Sequence, residues 1–61
     1  MTDLVKAARS IAKARAALES AMRQGKTAAI EAHAAGMPET EIATTLGVNR
    51  MTVRRWLGKL P

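Results

Sequence analysis

The stretch TEIATTLGVNRMTVRRWLGK, from Thr40 to Lys59, turns on one residue, Gly47. Upstream, Pro38 opens a helix whose first turn holds Glu39 and Glu41, where anions suit the positive end of the helix dipole. That helix runs to about Leu46. A glycine at this point supplies the positive φ that stops a helix sharply. Asn49 then caps a second helix, from Arg50 to about Lys59. Two short helices joined by so tight a turn must cross closely, and Ala43 supplies the small side chain the crossing requires. No run of the chain shows the period-2 alternation of a strand, so the fold class is all-α.

Chain length sharpens the constraint. A chain of 61 residues makes one small domain and buries only about 60% of its unfolded surface, so a staple or a partner is the usual source of extra stability. There is no cysteine, which removes disulfides and thiolate metal sites. His33 is the only histidine and has no second ring to share a zinc ion, so it reads as a helix-surface or helix-end residue. No nucleophile–base pair or carboxylate pair can be assembled, so catalytic residues, metal, cofactor and small-molecule ligand are all expected to be none. No apolar run approaches the roughly 20 residues of a membrane span. Asp3, Lys6, Arg9 and Lys13 interrupt any signal-peptide pattern, and the expected location is cytoplasmic.

Net charge is +5, and from Ala43 to Pro61 there are four cations and no anion. A cluster of one sign on one element points to a polyanionic partner. If Glu39 is position one, Ile42, Leu46, Val48, Val53 and Trp56 fall at positions four, eight, ten, fifteen and eighteen. Those are the inward apolar positions of a helix-turn-helix, with Ala43 at the crossing and Gly47 at the turn. On the second helix, Val53, Trp56, Leu57 and Leu60 form the inner face. Trp56 is thereby a core residue rather than a base-stacking one. Asn49, Arg50, Met51, Thr52, Arg54, Arg55 and Lys59 remain on the cap and outer faces as candidate DNA-binding residues. A helix inserted in the major groove offers its first residues to base edges and its flanks to phosphates, and arginine suits both tasks.

The segment HAAGMPETEIATTLGVNRMTVRRWL resembles the trihelical, homeodomain-like helix-turn-helix of resolvase and invertase C-terminal domains. Similar modules occur in transposases and in small phage or plasmid repressors. The resemblance is carried by Gly36, Pro38, Ile42-Ala43, Leu46-Gly47-Val48, Thr52-Val53, Arg55 and Trp56-Leu57, and it spans roughly Thr27 to Leu60. It implies that Met51 and Arg55 occupy base-contacting positions and Thr52 a phosphate-contacting one. The chain departs from that family in carrying no catalytic recombinase domain and no Gly-Arg-type minor-groove arm. The resemblance therefore implies DNA binding without recombination chemistry.

In place of that arm stands a helix from Leu4 to about Gln24, rich in alanine and free of glycine and proline. Gly25 is expected to break or kink it, with Thr27 starting the next helix, which divides the chain into 1–26 and 27–61. Leu4, Ile11 and Leu18 repeat every seven residues, and Ala7, Ala14 and Ala21 form a second row three residues on. This face is expected to join two copies in a homodimer. The competing readings are packing on the chain's own module and, least favoured for want of apolar area, a membrane surface. Lys6, Arg9 and Lys13 read as a solvated face, with contact to DNA backbone as the alternative.

The sequence thus predicts a long N-terminal dimerisation helix followed by a helix-turn-helix module that binds double-stranded DNA. The expected role is a small repressor that excludes polymerase by occupancy. The alternatives are a protein-interaction module and an architectural or recombination accessory factor.

Overall fold

The computed structural model describes the backbone of residues 2–59 and the side chains of residues 3–59. Three helices follow one another: α1 (Thr2–Ala34), α2 (Glu39–Leu46) and α3 (Arg50–Trp56). No strand occurs among the described residues, in keeping with the all-α class. None of these helices is long and apolar enough to cross a membrane. The inner-face assignment of Leu60 lies outside the described residues.

The expected break at Gly25 is not made. α1 is one 33-residue helix, and it merges the long N-terminal helix with the first helix of the module. Thr27 caps nothing; its hydroxyl donates to the Arg23 carbonyl one turn back, at 3.3 Å. A glycine within a helix costs about 1 kcal/mol relative to alanine. Here it leaves room for a neighbour. A Cβ on Gly25 would lie 3.5 Å from Cη2 of Trp56 and 3.9 Å from Cδ1 of Leu46. The six-membered ring of the Trp56 indole therefore packs against α1 at Gly25, and packing compensates for the propensity deficit.

α1 ends in a Schellman turn, where the Gly36 N–H donates to the His33 carbonyl and the Met37 N–H to the Ala32 carbonyl, both at 3.0 Å. Pro38 is the N-cap of α2 rather than its first residue. Gly47 closes α2 with φ 71°, a left-handed conformation that side-chain-bearing residues rarely adopt, as its place in the sequence required. The Asn49 side chain caps α3, its Oδ1 accepting from the Thr52 N–H at 2.8 Å and the Thr52 hydroxyl at 3.1 Å. α3 stops at Trp56, earlier than expected. A third glycine turn, at Gly58, follows, with the Lys59 N–H bonded to the Arg54 carbonyl at 2.9 Å.

Among the described residues four are buried: Ala29 of α1, Ile42 and Ala43 of α2, and Val53 of α3. Ala32, Met37, Val48, Trp56 and Leu57 pack around them. Leu46, expected inside, lies at the rim and is 38% exposed. The core engages only the C-terminal half of α1, and every residue from Asp3 to Glu19 is exposed. Leu4, Ile11 and Leu18 are 57–68% exposed, so this chain's own module does not cover that seam. The long axis of the molecule, 51 Å, is essentially the length of α1.

Two substitutions test this packing with opposite signs. At Gly25 a methyl group meets its neighbours at ordinary contact distance, so Gly25→Ala should stabilise the fold by about 0.5–1 kcal/mol. Ala43→Leu should destabilise it by about 1–3 kcal/mol through overpacking at the helix crossing. Thermal melting followed by circular dichroism reads both.

Candidate nucleic-acid interface

α3 has one inner line and one outer line. Val53 is completely buried. Met51 and Arg55, each two residues from Val53, point about 160° away from it. They form the outermost stripe of the module, with Met51 55% exposed and Arg55 exposed beside it. Among the described residues Arg55 has no ion pair and no side-chain hydrogen bond. Arg50 lies on the flank, exposed at the start of the helix. Asn49 and Thr52 are engaged with each other in the cap, and Thr52 is half-buried.

The remaining candidate residues are not free. Glu39, the first residue of α2, reaches across to the basic flank. Its Oε1 accepts from Arg54 Nη1 at 2.9 Å, and its Oε2 accepts from Lys59 Nζ at 2.7 Å. Arg50 Nε stands 3.8 Å from the same carboxylate. The turn at Gly58 makes this possible by bringing Lys59 back from the end of α3 toward α2. The stretch after Ala43 holds no anion, yet its field is partly neutralised from outside that stretch. Sequence reasoning missed Glu39 in this role. Its position explained only a favourable charge at a helix N-terminus, and no spacing rule links it to cations 15 and 20 residues away.

His33 completes the cluster from the last turn of α1. Its Nδ1 lies 3.3 Å from the Met37 carbonyl and its Nε2 lies 3.2 Å from Lys59 Nζ. The neutral tautomer with its proton on Nδ1 satisfies both contacts, donating to Met37 and accepting from Lys59. His33 is therefore a helix-end residue, and it ties the end of α1 to the turn before α2 and to Lys59 beyond α3. No group of His, Cys, Asp or Glu suited to a metal ion occurs among the described residues.

The Glu39 side chain is only 12% exposed. Its carboxyl is held below the ordinary glutamate range, first by the hydrogen bond from Lys59 and further by Arg54, against the opposing effect of burial. Such a group binds protons less readily folded than unfolded.

Three helices around a small core, with a glycine turn and a solvent-facing basic third helix, define a trihelical helix-turn-helix. Residues 21–59, well over half of the chain, match the homeodomain-like domain family, and the chain belongs to that family. No curated protein and no solved structure gives a significant match. The matched region begins within α1, just before the part of that helix that packs on α2 and α3.

The Glu39 cluster makes a prediction about pH. Its stabilisation is fully present above the unfolded glutamate value and is lost as pH falls through the lowered, folded-state value. Glu39→Gln should therefore lower stability at neutral pH, and its difference from wild type should close on acidification. Melting curves of both proteins across an acid pH series provide the check.

Proposed function

We propose that the chain binds double-stranded DNA sequence-specifically as a homodimer and acts as a small transcriptional repressor. The observation that carries this reading is the outer stripe of α3. Met51 and Arg55 stand at the furthest reach of the module, opposite the buried Val53, and the guanidinium of Arg55 has no partner among the described residues. A helix with such a ridge fits the major groove, and Arg55 can bind guanine O6 and N7 with two parallel bonds. Met51, one turn earlier, offers apolar contact to a thymine methyl group.

The flank has a different task. Glu39 orients Arg54 and Lys59 while neutralising part of their charge. Both reach the duplex backbone as positioned donors rather than free point charges. Arg50, weakly engaged at 3.8 Å, is the flank cation most available to phosphate. Repression follows by occupancy, since a promoter covered by the protein excludes polymerase. Membership in the homeodomain-like family supports the DNA reading.

Selection of random duplexes on the purified protein tests the proposal, which requires a defined motif to be enriched. Enrichment of none would favour a protein-binding scaffold or a shape-reading architectural factor. Arg55→Ala should cost about 1–3 kcal/mol on the selected duplex and relax preference at one base-pair position. Lys59→Ala should weaken all duplexes alike and lower the salt slope by no more than about 1, because Glu39 already screens the ammonium. Titrations of both variants on selected and random duplexes across a salt series separate the two roles. Equal weakening on both duplexes by Arg55→Ala would rule it out as a base reader.

A further inference from the structure

We infer that Glu39 is a specificity-determining residue, which restrains the attachment of α3 to any duplex so that the outer stripe decides which duplex is held. This deepens the DNA reading above and rests on it. The first observation is one of number. Four cations lie between Ala43 and Pro61, and a single carboxylate from outside that stretch faces three of them. Arg54 and Lys59 donate to it at 2.9 and 2.7 Å, and Arg50 stands at 3.8 Å. Lys59 is held a second time, by His33 Nε2 at 3.2 Å. Arg55 is the one cation of the stretch with no such contact among the described residues.

The second observation is the order of the layers. The Glu39 side chain is 12% exposed, whereas those of Arg54 and Lys59 are 31% and 38% exposed. The carboxylate thus lies beneath the cations rather than in front of them. An approaching phosphate meets the guanidinium and the ammonium first, and Glu39 acts from below in two ways. It subtracts a charge from the flank, which weakens attachment to every duplex alike. It also fixes where Arg54 and Lys59 point, so their phosphate contacts form with little further ordering once α3 is seated in a matching site. On a random duplex only the first effect operates, because no base-edge contact fixes the register of α3. Non-specific affinity is lost without an equal loss of specific affinity, and discrimination is the ratio of the two.

A neighbouring acid shows that position, and not charge alone, sets this role. Glu41, two residues on in the same helical turn, points about 160° away from Glu39 and has no ion pair among the described residues. Both acids suit the positive end of the helix dipole, but only Glu39 is aimed at the basic flank. Glu39→Gln and Glu41→Gln therefore remove the same charge from the same turn, and only the first releases Arg54 and Lys59.

Fluorescence-anisotropy titrations on random and selected duplexes across a salt series test the inference. Glu39→Gln should strengthen binding to the random duplex by up to about 8-fold at about 0.1 M salt, and steepen its salt slope by up to about 0.9, the value of one phosphate contact. On the selected duplex the gain should be smaller, so the specificity ratio falls. Glu41→Gln should leave both affinities much closer to wild type. Damage to the fold weakens binding, so a gain on the random duplex is a result that a merely structural role does not produce. The same comparison in a Gly25→Ala background, which should offset the stability lost with the carboxylate, supplies folded proteins, checked by circular dichroism at the assay temperature. Equal responses to the two substitutions would overturn the inference, as would the absence of any gain on the random duplex or an equal gain on both duplexes. The duplex selection is read separately. Motif enrichment with equal responses leaves sequence reading standing and removes the role of Glu39. A gain confined to Glu39→Gln without enrichment keeps the restraint on attachment and removes sequence reading.

Discussion

The approach of three helices around Val53 governs the rest of the molecule. Val53 is wholly buried, and the residues that face it from the other helices include Ala29 and Ala43, both too small to keep the backbones apart. Close approach substitutes for bulk in a chain that cannot build a large core. Among the described residues, only Val53 and Ile42 bring large side chains inside, each worth about 1.5–3 kcal/mol. With so little apolar area, the turns and caps carry a considerable share of the specification. The Schellman turn after α1, Gly47 after α2 and the Asn49 cap before α3 fix the angles at which the helices meet.

The continuity of α1 follows from the same economy of space. Composition alone makes Gly25 the weakest point of the helix. In the folded chain Trp56 and the rim residue Leu46 pack against the α1 backbone at this point. An indole packed on the glycine supports the helix at its position of lowest intrinsic propensity. Because α1 is one continuous helix, its N-terminal half projects beyond the module with its apolar line uncovered.

Electrostatics on the third helix are divided between two groups of residues. One carboxylate, Glu39, gathers Arg54 and Lys59 and stands near Arg50. Arg55 escapes this arrangement because it lies on the far side of α3, about 160° from Val53. Arg55, without an ion pair among the described residues, thus stands beside a flank of tethered cations. The tether also limits indiscriminate attraction to polyanions, since part of the positive field is cancelled within the protein.

Much of this was legible in the sequence. Ile42, Ala43 and Val53 at the core, Gly47 at a positive φ and Asn49 as a cap all follow from local rules of spacing and backbone conformation. So does the outward placement of Met51 and Arg55, since helical periodicity determines which residues oppose a buried one. What the sequence could not contain was the outcome of contacts between distant residues. Whether Gly25 breaks a helix depends on Trp56 packing against it, 31 positions away. Whether Arg54 and Lys59 are free depends on Glu39, and the early end of α3 at Trp56 is what turns Lys59 back toward it. Periodicity put one apolar line along α1, but only the tertiary structure decided that its second half is covered from within and its first half left open. The reason is physical: local propensities fix the helices and their faces, whereas the meeting of those faces is settled by close packing and charge pairing between residues far apart in the chain.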